Sequence, residues 1–407
     1  MIEWFKNLGP GVLVSAAFIG PGTVTVCTLA GVEFGFSLLW ALLLSIIACV
    51  ILQEMAARVG IVTQKGLSEV IREEIKNPLF RSLSILLIFA AIVIGNAAYE
   101  AGNISGAVLG ISAVIPVQEI TLGVFTVNIW SVIIGTIAFV LLAIGNYKIL
   151  ERVFIGLVAI MSISFIITAI ITRPDISKLL QGLFIPRNGG AGILTVMALI
   201  GTTVVPYNLF LHASLVSEKW KDKNSLGTAQ KELFWSIGLG GIVSLAIVVT
   251  AAASGVVNVN TAADLAVGLE PVFGSYATWF IALGLFSAGI TSSITAPLAA
   301  AYVVSGCMGW KKSLTSGRFK MVWAGILVLG VIFSSMGLQP VEIIKFAQVA
   351  NGILLPVIAI FLLWVVNRRA LMGSAKNSVK RNILGFIIIT ITIFLGAKSI
   401  FTVFESL

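Results

Sequence analysis

Long apolar runs separated by short polar connections are the dominant pattern of this chain. Each run extends for roughly 18–25 residues, the length a helix needs to cross about 30 Å of hydrocarbon. Eleven such spans are expected, near 11–32, 37–59, 82–110, 129–145, 153–172, 191–216, 233–256, 274–305, 321–337, 342–366 and 383–403. No set of ten-residue stretches alternates apolar and polar positions, so a membrane β-barrel is excluded. The pattern predicts an all-α polytopic membrane protein with eleven transmembrane helices.

Two of the runs are interrupted near their middle by a proline. Gly20-Pro21-Gly22-Thr23 breaks the first, and Val204-Val205-Pro206-Tyr207-Asn208 breaks the sixth. A helix broken inside a bilayer frees backbone groups that lipid cannot satisfy, so such breaks persist only where protein covers them or they line a cavity. One break per half, at matching places, marks the substrate site of an inverted-repeat transporter. Spans one to five and six to ten make halves of similar length, and an odd number of spans per half sets the two in opposite orientations. The expected organisation is a first repeat over 1–172, a second over 173–366 and an extra helix over 367–407.

Composition agrees with the pattern. Hydrophobic residues make up 58% of the 407 and charged residues 11%, with mean hydropathy +1.07. Soluble domains do not have that balance. The charges that remain are sorted by connection. All but five of the 26 Lys and Arg fall in segments on one side, the exceptions being Arg173, Lys178, Arg187, Lys345 and Lys398. The positive-inside rule then places the N-terminus in the cytoplasm, the C-terminus outside, and the protein in the cell membrane. The net charge of +9 is that of loops facing anionic lipid, so the bilayer is the expected partner and nucleic acid is not. Met1–Leu8 reads as a short polar lead into a retained helix, with no cleavable signal. Cys27, Cys49 and Cys307 sit in or beside apolar spans, spaced for neither metal nor disulfide. No nucleophile–base pair or cofactor motif appears, so neither an enzyme nor a cofactor is expected. The sequence leaves the oligomeric state open, and a monomer suffices for this architecture.

Four segments carry a family resemblance. They are Gln53-Glu54-Met55-Ala56-Ala57-Arg58-Val59-Gly60 in the second span, Gly201 through Ala213 in the sixth, Ser287-Ala288-Gly289-Ile290-Thr291-Ser292-Ser293 in the eighth, and Gln348-Val349 ahead of Leu355-Pro356 in the tenth. Together, in this order, they resemble the NRAMP divalent-metal transporters over nearly the whole chain. The resemblance implies a LeuT-type fold with two inverted five-helix repeats and discontinuous helices one and six. It also implies alternating access and proton-coupled metal uptake. The family's metal site pairs an Asp-Pro-Gly-Asn break with an Ala-x-x-Met-Pro-His break. Here Gly20 stands for the Asp, Thr23 for the Asn, Thr202 for the Ala, Val205 for the Met and Tyr207 for the His. Pro21, Gly22 and Pro206 persist.

A divalent cation entering a low-dielectric cavity needs charged or strong oxygen and nitrogen ligands in place of water. Gly20 offers no carboxylate and Val205 no thioether, so no metal is expected at the family's usual site. The candidate substrate-binding residues are Gly20, Pro21, Gly22, Thr23, Thr202, Val205, Tyr207 and Asn208. Gln348 and Asn351 in span ten add amides or serve as interhelical glue. Half-helix N-termini carry about +0.5 of a charge and bind carboxylates, so the first expectation for the cargo is a small organic solute. The alternative is a hard divalent cation, magnesium foremost, because losing the Met alone points to an ion that prefers oxygen. Manganese or iron ranks behind it. A non-transporting relative or sensor is a further alternative.

For coupling, Glu100 matches the Asp and Asn103 the Glu of an acid pair that the family implicates in proton transfer. An intramembrane carboxylate is costly and by default functional, although a hydrogen-bonded Glu can also stitch spans together. His212, the only histidine, matches a second histidine of the family pattern. It either relays protons with Glu100 or bonds a neighbouring helix. Glu54 is expected to pair with Arg58 one turn on.

Overall fold

The computed structural model describes residues 19–116, 119–122, 125–145, 148–187 and 192–405. The first half of the expected first span, 11–18, lies outside the described residues. The chain is built from α1 (Pro21–Phe34), α2 (Leu39–Thr63), α3 (Leu67–Glu74), α4 (Pro78–Ser112), α5 (Ile129–Ile144), α6 (Lys148–Ile171) and α7 (Ile176–Phe184). After these come α8 (Ile193–Thr203), α9 (Pro206–Lys219), α10 (Leu226–Ala253), α11 (Ala277–Met308), α12 (Gly317–Ser334), α13 (Pro340–Val366) and α14 (Val379–Glu405). Among the described residues nine segments are long and apolar enough to cross a membrane, with α8 and α9 together making one of them. The shorter apolar helix α5 and the described half of span one, α1, complete the eleven expected spans.

The helices outrun the apolar runs at several ends because capping, not hydropathy, sets where a helix starts. Asn77 shows this: its side-chain oxygen accepts from Leu79 N at 2.9 Å and Phe80 N at 3.3 Å, and Pro78 fills the first helical position. The third span therefore begins at Pro78 and not near 82. Several connections fold into short helices, α3 and α7 among them. Another carries a short strand pair within the expected all-α architecture. Strands β1 (Glu119–Leu122) and β2 (Phe125–Asn128) pair antiparallel, with Glu119 opposite Asn128. Ile120, Thr121, Thr126 and Val127 are β-branched, which suits the pleat and resists helix.

The 35-residue α4 is the central strut, packed along α11, α12 and α13. Helix α1 lies against α10 and α8, and α2 against α9 and α10. Small residues set these approaches, as expected in lipid. A Cβ on Gly106 would overlap the ring of Pro21, and one on Gly289 would lie 2.6 Å from Ala107 Cβ. Gly238 meets nothing within 4 Å, so this Gly is not a packing contact.

The expected Glu54–Arg58 pair forms at 3.0 Å and belongs to a larger knot. Arg58 is buried and donates to Ala375 O and to Asn377 Oδ1, each at 2.6 Å. Glu54 also accepts from Gln230 Nε2 at 2.8 Å and faces Arg381 at 3.8 Å. Removing one partner of a buried pair costs about 3–5 kcal/mol, so this knot firmly ties α2 to α10 and to the segment before α14.

Candidate substrate site

The two breaks meet. At the first, Gly20 is extended (φ −89°, ψ 179°) and α1 starts directly after it, with Thr23 N donating to Gly20 O at 3.1 Å. At the second, α8 stops at Thr203, Val204 leaves the helix, Val205 is extended, and Pro206 opens α9. Proline has no amide to lose at a helix start but would break a helix interior, which is why the sixth span divides here. Thr23 Oγ1 and Thr202 Oγ1 lie 2.9 Å apart, a hydroxyl bridge between the two broken helices.

Gln348 on α13 closes the third side. A Cβ on Gly22 would overlap its amide, and a Cβ on Gly201 would overlap its backbone oxygen. Gly201 is therefore a glycine because α13 passes at backbone distance, and Gly22 leaves room for the Gln348 side-chain amide. The Oε1 of Gln348 and the Oδ1 of Asn208 are buried with no hydrogen-bond partner among the described residues. Val205 is buried in the break itself, and Tyr207 sets its ring edge-on to Tyr99 of α4, centroids 5.3 Å apart. Asn351 is turned elsewhere, its Oδ1 close to Gly95 of α4.

The coupling candidates separate. Glu100 is fully buried on α4, with its side chain packed on Gly330 of α12. Asn103 Nδ2 donates to Glu100 Oε2 at 3.3 Å, while Oε1 has no partner among the described residues. His212 belongs to a different contact: its Nδ1 lies 2.9 Å from Gln53 Oε1 on α2. No hydrogen bond joins Glu100 to His212 among the described residues. The bond to Gln53 is the helix-to-helix alternative for this histidine.

Two further buried hydroxyls lie along α1 beyond the break. Thr25 and Thr28 are buried on α1 without partners among the described residues. One turn further, Leu29, Val32 and Glu33 line a 190 Å³ cleft with Asn258, Asn260, Glu342 and Lys345. Positions 25, 28, 29, 32 and 33 share one helical face, and that i, i+3, i+4 spacing is the signal that could have found them.

Chemically, the site is a set of neutral oxygens and amides between a helix start and a helix end. Among the described residues no three His, Cys, Asp or Glu side chains come together to hold a metal. The amide ends of α1 and α9 favour negative charge, and the carbonyl end of α8 favours positive charge.

Known proteins share this fold and sequence pattern. A family model described as "Natural resistance-associated macrophage protein-like" covers residues 11–402. A "Divalent metal cation transporter MntH" from Acidiphilium cryptum is 27% identical over 379 residues, covering 90% of this chain and 83% of that protein. Among solved structures, an Eremococcus coleocola manganese transporter in complex with an aromatic bis-isothiourea compound superposes with a TM-score of 0.76. It is 19% identical and covers 98% of this chain and 87% of that one. MhsT in complex with L-phenylalanine shares the fold at a TM-score of 0.61 and 15% identity, covering 96% and 97%. The fold is thus the LeuT type of a multi-pass membrane protein, with its sixth helix discontinuous and the described part of its first helix starting at Pro21. By the family match over almost its whole length, the chain belongs to the NRAMP family of membrane transporters.

Proposed function

We propose that this protein is a secondary transporter moving a divalent metal cation by alternating access, with the ion held between Gly20–Thr23 and Thr202–Asn208. The ion is a hard one, magnesium foremost. The donor set at the breaks carries this reading: Thr23, Thr202, Asn208 and Gln348 present neutral oxygens, two of them without partners among the described residues, and Val205 presents no sulfur. A hard ion that keeps several waters accepts such ligands, whereas a softer transition metal gains most from a thioether. The small organic solute expected from helix N-termini gives way on two grounds. Relatives named as divalent metal cation transporters align over nine-tenths of the chain. In addition, the carbonyl end of α8 opens into the same break, and helix ends of that polarity hold cations in broken-helix transporters.

Glu100 is the proposed proton-handling group, with Asn103 fixing its carboxyl, because it is fully buried in the strut between the break and α12. His212 is the proposed tie between α9 and α2. Proteoliposomes holding a magnesium dye and a pH dye test the reading. Saturable magnesium entry is expected, manganese competing only weakly, and Thr202→Val lowering magnesium affinity about tenfold, ~1.4 kcal/mol. Glu100→Gln is expected to leave binding in place and remove the accompanying pH change. Manganese uptake saturating below magnesium would sink the hard-ion assignment, and entry of neither ion would sink metal transport.

The two repeats are proposed to span 1–172 and 173–366, with 367–407 outside them, and the basic segments to face the cytoplasm. The charge bias supports this orientation. The three native cysteines are buried, so single introduced thiols report topology. In whole cells a membrane-impermeant maleimide is expected to label Val257→Cys and to spare Lys311→Cys. The reverse pattern would invert the assignment.

A further inference from the structure

A second pocket, remote from the breaks, opens between α3, the start of α4 and the end of α11. It measures about 540 Å³ and is lined by Arg72, Lys76 and Arg81, with Glu73 the only acid and Ile75, Ile85, Cys307 and Met308 as its apolar walls. Its charge is not neutralised from within. Glu73 is committed to Lys65, whose Nζ lies 2.5 Å from Glu73 Oε2, and that bond raises the Lys65 pKa. Arg72 Nη2 reaches Glu73 Oε1 only at 3.6 Å, and Arg72 Nε is buried without a hydrogen-bond partner among the described residues. Lys76 and Arg81 form no ion pair among the described residues. Nearby acids are spent elsewhere: Glu69 on Lys312 and Glu74 on Arg368.

Arg72 is also built into place. Its guanidinium lies over Gly309, where any Cβ would overlap Nη1, and Gly309 holds the left-handed conformation (φ 69°) that ends α11. Around α4 from Arg81 and Ile85, on the side turned away from the pocket, Leu79, Phe80, Leu83 and Leu86 form an apolar stair, each at least half exposed. The three cations thus sit at the head of a span whose outer face is open to hydrocarbon.

We propose that this pocket binds the phosphate of an anionic lipid headgroup, with the acyl chains lying along the exposed face of α4. Guanidinium and ammonium groups match phosphate oxygens, and basic pockets between spans on the cytoplasmic side take anionic headgroups. Free inorganic phosphate shares the headgroup chemistry but has no use for the apolar stair, which favours the lipid. The site places the pocket at the cytoplasmic leaflet through the orientation above and is independent of which cargo is carried.

The test uses the full-length protein in detergent and reads lipid retention by native mass spectrometry and melting temperature. Dioleoylphosphatidylglycerol is expected to bind in preference to dioleoylphosphatidylcholine and to raise the melting temperature, with inorganic phosphate having little effect. The triple variant R72Q/K76Q/R81Q is expected to bind the anionic lipid at least about tenfold more weakly. The triple R369Q/K376Q/K380Q, elsewhere on the basic face, is expected to bind as the wild type does. Should the first triple fail to fold, the exposed single Arg81→Gln replaces it, with a smaller loss expected. Equal binding of the two lipids, or equal loss in the two triples, would overturn the site. Phosphate stabilising as strongly as the lipid would overturn the lipid as its occupant.

Discussion

Alanine at Gly201 is expected to destroy the proposed substrate site, abolishing uptake and sharply lowering the melting temperature of the detergent-solubilised protein. The reason is backbone on backbone. A Cβ at Gly201 would overlap the Gln348 carbonyl oxygen and lie 2.7 Å from Gly352 N, so no side chain can rotate away to make room. Overpacking costs about 1–3 kcal/mol when side chains can adjust, and more is expected where two helix backbones must separate. The same separation would pull Gln348 off Gly22 and Thr202 away from Thr23, so binding and stability fall together. Gly325→Ala on the exposed face of α12, where nothing lies within 4 Å, supplies the contrast. There the helix gains about 0.5–1 kcal/mol from alanine, and the melting point is expected to hold or rise. Wild-type melting and uptake in Gly201→Ala would show that α8 and α13 do not approach this closely.

The meeting of the two breaks is legible in the sequence because a proline inside an apolar span has few physical explanations, and two of them at matched places have fewer. Pro21 and Pro206 do begin helices, and the residues flanking them do converge. Residue types alone do not tell which neighbour satisfies each polar group. Glu100 and His212 read as one relay because both are titratable and both lie deep. In the structure α4 presents Glu100 to Gly330, while α9 presents His212 to Gln53, and those helix faces depend on packing between segments far apart in sequence. The paired strands 119–122 and 125–128 are missed for a related reason: four-residue strands carry little periodicity beside spans several times longer. Gln348 and Asn351 show how fine this dependence is. They lie one turn apart on α13, yet one amide faces the broken helices and the other faces α4.

The identity of the cargo was harder to read because the resemblance and the residues disagree, and restoring the missing ligands turns that disagreement into a measurement. The double variant Gly20→Asp/Val205→Met is expected to raise manganese affinity at least about a hundredfold, ~2.8 kcal/mol, relative to magnesium. Position 20 is extended, and Asp is among the preferred residues for a helix N-cap, so the first change suits the backbone already present. Its carboxylate would supply the charge that the neutral site lacks. Position 205 lies in the extended link between α8 and α9, buried in the break, so a thioether there would add the soft donor that favours transition metals. Each single change is expected to act on a different property: Gly20→Asp tightens both ions, and Val205→Met alters the ratio between them. Calorimetric titration of the folded variants with manganese and magnesium reads both. If the double variant is folded and binds manganese no better than the wild type, the ion does not reside between the breaks. If the wild type already binds manganese as tightly as the double variant, neutral oxygens suffice, and the magnesium preference falls.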